Sequence, residues 1–309
     1  AFFFFFPELT LSLKNGDADV WATKAYVKVE ASAKSRASRT ISSSTVEIQY
    51  KDGEVWKVWP NQSYDSEKGL FLLTGMGEGA TDTNGVSYTL RAAYKRGGEV
   101  VTYSGELPIT TEAKTQIPNS GFDDWYTEKK KYLLSDWIVY YPYLQGEEGH
   151  WWSTNNDRAQ AWTVYPVQVT TCPAVIYTYD TRTGEGKAAE IHTSGSGGEY
   201  ASTGEMMYPK SAFAGSIFIG SYSWSDKSEH KSLGHSFNTR PLGLSFWYKY
   251  KPYKTDAFKV LVEVKSGETV IATGEYVPEA YSSEDLEYQQ HTISLEYTNS
   301  LLKATSISV

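Results

Sequence analysis

The sequence predicts an all-β protein built from two sandwiches, and three observations carry that reading. Aromatic residues make up 15% of the 309-residue chain and charged residues only 21%, a mixture rich in Tyr, Trp and Thr that suits pleated strands better than helices. Apolar and polar residues alternate over most of the chain, with Asn-Gly, Asp-Gly and Gly-Gly turns between the alternating runs. A short polar stretch from Thr110 to Asn119 ends beside Pro118 and separates two unlike regions. Residues 1–116 carry 13 Lys+Arg against 14 Asp+Glu, whereas residues 117–309 carry 16 against 23 and hold 7 of the 10 Trp and 18 of the 24 Tyr. A linker between two domains, 7–113 and 117–309, follows.

The composition excludes several classes. No apolar run approaches the roughly 20 residues of a membrane-spanning helix. A net charge of −8 argues against a broad nucleic-acid footprint. The single cysteine, Cys172, cannot close an internal disulfide or build a cysteine-rich zinc site. The run Phe2 to Phe6 is too short for a secretory apolar core and lacks a preceding basic segment, so it is set aside from fold reasoning.

In the first domain Leu9, Leu11 and Leu13 alternate before an Asn15-Gly16 turn. Ala25, Val27 and Val29 form the next strand. Val46, Ile48 and Tyr50 follow, and Asp52-Gly53 turns into Val55 to Trp59. Leu72-Leu73, a glycine-rich turn, Tyr88 to Ala92, a Gly97-Gly98 turn and a last strand ending at Thr111 complete about seven strands. This run resembles a fibronectin type III-like, immunoglobulin-like module. The resemblance implies a spacer, with Leu72 or Leu73 packing against Tyr88 at a strand corner. In the second domain, Leu242 to Tyr250, Phe258 to Val264 and Ile293 to Tyr297 show half-buried strand patterns, and the strand spacing suggests a larger jelly-roll-type sandwich. Helix is expected only over Asp123 to Leu134.

Six motifs in the second domain occur in one order: Asn119-Ser120-Gly121-Phe122-Asp123-Asp124-Trp125, Trp151 to Asn156, Gly186 to Ile191, Ala214 to Gly220, Gly234 to Pro241, and Trp247 to Tyr250 followed by Asp256. Together they resemble the putative carbohydrate metabolism domain of surface lipoproteins from gut-dwelling Gram-negative bacteria of the Bacteroidetes type. The resemblance implies an outer-membrane, cell-surface lipoprotein, joined to the membrane only through a lipid on a cysteine that this sequence does not contain. It also implies a further, acidic last strand beyond Val309, where this sequence stops.

Candidate chemistry centres on His150 to Arg158, with Trp162 close behind. Sugars present C–H faces and hydroxyl edges together; flat rings suit the first, and Asn, Asp and Arg suit the second. Because the resemblance makes Trp152 and Asn156 part of a fold signature, Trp151, Asn155 and Arg158 are the ligand candidates. Trp224 and Asp226 form a second group, in which Trp224 either sits exposed at a loop tip or folds back on its sheet. Arg240 reads as one half of an internal salt bridge. Asn119, Asp123 and Glu190 supply oxygens of the kind that hold a structural calcium in jelly-roll sugar-binding domains. No nucleophile elbow or zinc-protease motif is present, so no catalytic residue is assigned.

The expected function is therefore non-catalytic binding of a poly- or oligosaccharide. The alternative is an accessory subunit of an outer-membrane nutrient-uptake complex (a TonB-dependent transporter with its lipoprotein lid) or of an adhesive complex. A glycoside hydrolase stands third.

Overall fold

The computed structural model describes residues 8–32, 41–77, 84–132, 135–159, 162–164, 167–169, 173–195, 200–203, 206–209, 212–226, 228–252, 256–278 and 287–309. Phe2 to Phe6 and Cys172 lie outside them. Among the described residues the protein is all-β apart from two single 3-10 turns, at Gly16–Asp19 and Asn156–Arg158.

The first sandwich contains β1 (Glu8–Ser12), β2 (Lys24–Ser32), β3 (Val46–Asp52), β4 (Val55–Val58), β5 (Gln62–Asp65), β6 (Leu70–Thr74), β7 (Ser87–Arg96), β8 (Glu99–Tyr103) and β9 (Leu107–Thr110). One antiparallel sheet has the order β1-β2-β6-β5, the other β4-β3-β7-β8, with β9 also on β7. Their inward residues share one core: Leu9, Leu11, Val27, Val29, Phe71 and Leu73 from the first sheet, Val46, Ile48, Leu90, Ala92 and Ile109 from the second. Of the two candidate corner leucines, Leu73 is the buried one. The Tyr88 hydroxyl accepts a hydrogen bond from the Gly77 backbone N–H at 2.8 Å, and its ring meets Trp59 edge-on at 5.2 Å.

The second sandwich begins with β10 (Tyr126–Tyr132), β11 (Ser135–Tyr141), β12 (Trp152–Thr154), β13 (Trp162–Val164), β14 (Val167–Val169), β15 (Val175–Thr178), β16 (Ala188–Ile191), β17 (Ser194–Gly195), β18 (Tyr200–Thr203), β19 (Met206–Pro209) and β20 (Ala212–Phe213). It continues through β21 (Ile217–Ser225), β22 (Ser228–Leu233), β23 (His235–Ser236), β24 (Gly243–Tyr248), β25 (Val260–Ser266), β26 (Thr269–Tyr276), β27 (Gln289–Ser294), β28 (Glu296–Tyr297) and β29 (Ser306–Ser308). A five-stranded sheet, β23-β29-β25-β26-β28, and a three-stranded sheet, β12-β21-β22, are its largest. They share a core in which Trp152 and Ile219 meet Val262, Val264, Ile271 and Ile307. Hairpins β10–β11, β13–β14, β15–β16 and β18–β19, the pair β17–β20 and the pair β24–β27 complete the domain.

The helix expected from Asp123 to Leu134 is instead β10, paired in register with β11 from Tyr126 opposite Tyr141 to Tyr132 opposite Ser135. The partner strand, with Ile138, Val139 and Tyr140, outweighs the weak helical signal of the lysine run.

The linker is bound to both sandwiches. Arg240 is only 2% exposed. Its Nε donates to Glu112 at 2.8 Å, its Nη1 to the carbonyls of Ala18 (3.0 Å) and Ser300 (2.8 Å), and its Nη2 to that of Val20 (2.9 Å). The guanidinium also lies 4.1 Å from the centre of the Trp21 ring, and Trp21 meets Tyr297 edge-on at 4.7 Å. The Thr239 hydroxyl donates to the Ala113 carbonyl at 2.7 Å. The expected internal salt bridge of Arg240 is thus the hub between the domains.

Candidate functional site

Alternation along β21 sends Phe218, Tyr222 and Trp224 to one face and Ser221, Ser223 and Ser225 to the other. Across the hairpin, Trp224 pairs with Glu229 and Tyr222 with Lys231. The 3-10 turn Asn156–Arg158 brings Arg158 under this face. Its guanidinium carbon lies 5.1 Å from the Trp224 ring centre and 4.9 Å from that of Phe213. Two of the protein's sequence-predicted ligand residues, Arg158 and Trp224, therefore meet. Trp224 is half-buried, so it folds back on its sheet.

The polar chemistry of this place is incomplete. Arg158 Nε and the Tyr222 hydroxyl are buried and find no hydrogen-bond partner among the described residues. Leaving such groups unpaired costs about 1–3 kcal/mol each. The Tyr222 phenol is pushed up to about 12, mainly by burial and then by the Glu229 charge, while Arg158 pulls it down. The Asp157 carboxyl is raised above its ordinary value by burial, against the opposing pull of Lys130, with Glu128 adding repulsion. Tyr141 and Tyr143 are also held above the ordinary phenol range, chiefly by burial. Beside them the Tyr126 and Tyr141 rings stack at 4.5 Å and Tyr143 stacks on His150 at 3.7 Å. A shallow open depression of about 660 Å³ on the β21–β22 hairpin is lined by Ser221, Ser223, His230 and Ser232 of the other face as well as by Tyr222, Glu229 and Lys231. Rings, a guanidinium donor, a phenol and a carboxylate thus converge on one patch.

The other expected residues serve different purposes. Trp151 stacks on His235 at 4.2 Å and packs against the core, so it forms no platform with Trp224. Asn155 is buried, with Nδ2 donating to Ala214 O at 2.8 Å and Oδ1 accepting from Ser216 N–H at 2.9 Å; it fastens the loop to the start of β21. Trp152 and Asn156 are structural as expected: Trp152 Nε1 donates to Pro118 O, and Asn156 bonds to Tyr140 and Val175. Asp226 occupies the tip of the β21–β22 hairpin with φ of 52°, a left-handed turn position that Asp tolerates. The backbone of Trp162 lies in β13, and its side chain is outside the described set.

Two of the three expected calcium oxygens bond within the protein and the third stands exposed. Asn119 bonds Asp124 and the Pro142 carbonyl through its amide. Asp123 Oδ1 accepts from the Lys187 N–H at 2.9 Å. Glu190 stands exposed in β16 opposite Ile176. Among the described residues no three His, Cys, Asp or Glu side chains gather as a metal centre needs. Asn119 and Asp123 hold the turns at 119–125 and 186–187.

The sequence places Tyr222 in the same group as Trp224 without making it a ligand residue, and it does not point to Phe213 or the tyrosines of β11. The Tyr222-x-Trp224 spacing carried the signal for the first, since a period of two places both on one strand face. Phe213 and Tyr141 come to the patch from distant segments and leave no local trace.

These features define an all-β protein whose second sandwich presents an aromatic and polar patch. Residues 121–272 match the family model described as Putative carbohydrate metabolism domain, which gives that sandwich a carbohydrate-related domain. Neither the curated proteins nor the solved structures yielded a match.

Proposed function

We propose that this chain is a non-catalytic, surface-exposed lipoprotein that binds a poly- or oligosaccharide through its second sandwich. The fibronectin type III-like first sandwich positions that domain. The observation that carries the reading is the half-exposed Arg158 guanidinium lying 5.1 Å from the half-exposed Trp224 ring. A sugar supplies hydroxyls for the guanidinium and a C–H face for the indole. The family match to a carbohydrate-related domain supports the same class of ligand.

Titration calorimetry against a panel of neutral and charged glycans tests the reading. Binding is expected, reduced at least tenfold in Arg158→Gln and Trp224→Ala, with no new reducing ends on long incubation. The absence of heat with every glycan overturns it, and release of reducing ends overturns its non-catalytic part.

A second reading, an accessory subunit of an outer-membrane transporter or adhesive complex, draws on β22. This strand is exposed at all six positions and lies at the edge of its sheet among the described residues, which invites strand addition by a partner. Co-purification with a larger complex from detergent-solubilised membranes is its test, and repeated recovery of the chain alone counts against it.

A further inference from the structure

Trp247 is 45% exposed although it lies within a regular strand of the second sandwich. In the β24–β27 pair, Ser245 stands opposite Thr292 and Trp247 opposite Gln290, so these four side chains share one face. All four are exposed. The opposite face, with Leu244, Phe246 and Ile293, packs against the core. The outward polar groups are already organised: Gln290 Nε2 and the Thr292 hydroxyl each donate to Ser245 Oγ at 3.1 Å.

One cation sits on this face. The Arg182 guanidinium carbon lies 4.7 Å from the Trp247 ring centre. It comes from the loop between β15 and β16, which docks here through Asp180, whose carboxylate pairs with Lys249 at 2.7 Å and whose carbonyl accepts from the Tyr288 hydroxyl. Asp180 is thus matched by Lys249. Arg182 makes no ion pair among the described residues and is exposed.

We infer that this face is a second saccharide-binding surface, distinct from the Arg158 patch, and that its ligand carries an anionic group. The indole face suits the C–H face of a sugar ring. The row of Ser245, Gln290 and Thr292 offers hydroxyl and amide groups already held in place, which lowers the ordering cost of binding. The planar guanidinium beside the indole matches two oxygens of a carboxylate or a sulfate. Charge complementarity therefore selects an acidic saccharide over a neutral one, in a domain that is otherwise net acidic. The inference rests on the reading of the domain as saccharide-binding but uses none of the residues of the first patch.

The test compares three galactose-based ligands of similar length by calorimetry: oligogalacturonate (carboxylate), a sulfated galactan and a neutral galactan. Tight binding of at least one charged ligand is expected, with at least tenfold loss in Arg182→Gln and Trp247→Ala. The charged arm that binds identifies the anion. Both altered side chains are solvent-exposed, and thermal melts verify that the variants fold. The inference is overturned if the neutral galactan binds as tightly as the charged ligands, or if neither variant loses affinity. Binding of neutral glycans that is sensitive to Arg158→Gln, without any acidic ligand binding, removes this inference alone. Silence towards every saccharide removes the broader reading with it.

Discussion

Arg240 holds a full positive charge out of water and recovers its hydration through four hydrogen bonds from its side chain and an aromatic face. Truncation strands the Glu112 carboxylate in the interior. Arg240→Ala should therefore cost about 3–5 kcal/mol, read as a lower denaturation midpoint. Arg240→Lys should recover little of it, because one ammonium cannot reach three carbonyls and the Glu112 carboxylate at once. Asp157 offers the opposite case. Burial raises its carboxyl above the ordinary 3.8, so the folded state holds the proton more tightly than the unfolded state. Its contribution is favourable below the unfolded value and is lost as pH climbs through the raised one. Asp157→Asn should accordingly stabilise the protein at pH 7 and do little near pH 3; an equal effect at both values would refute the cause given. At this scale the sequence was partly legible. An Arg among fold-signature residues suggested an internal ion pair, while its partner in the linker and the carbonyls of residues 18, 20 and 300 belong to tertiary structure.

Strands were the most readable elements, because one face of each meets a core and period two follows. Leu261 interrupts the pattern of β25 and is indeed exposed, whereas Val262 and Val264 on either register are buried. The strand β10 was misread because its own lysine run carries little strand signal, and pairing with the hairpin partner β11 decides its state. Within β21, Gly220 marks a place where only hydrogen fits: a Cβ there would stand 2.0 Å from the Ser232 carbonyl oxygen of β22. Gly220→Ala should push β22 away and weaken saccharide binding by displacing Tyr222, with melting and calorimetry both reporting the change. Asp226→Gly at the hairpin tip should leave stability within about 0.5 kcal/mol, since the position already has φ of 52°. The patch itself was legible only in part: Arg158 and Trp224 could be named from ring and guanidine chemistry on loops, but the strand that turns Trp224 inward could not.

At the scale of the molecule, the segment between the sandwiches is a structural component of their junction. Its polar composition resembles that of a free linker, because composition alone cannot reveal that Glu112, Ala113 and Thr115 are hydrogen-bonded to residues 238–240. Limited proteolysis should spare residues 112–116 in the wild-type protein and cut there in Arg240→Ala, even at temperatures where each sandwich remains folded. Equal resistance in both would place the coupling elsewhere, in contacts such as that between Trp21 and Tyr297.

The short strand β29 lies between β23 and β25, in the interior of the five-stranded sheet of the second sandwich, and Ile307 is buried there. During synthesis the first sandwich has all its strands as soon as residue 110 has emerged, and it can fold while translation continues. The second must wait with a gap in its central sheet until residues 306–308 leave the ribosome. For that interval the edge of β25 that β29 will cover leaves its backbone N–H and C=O groups unpaired, and a chaperone that covers exposed strand edges would find its target there.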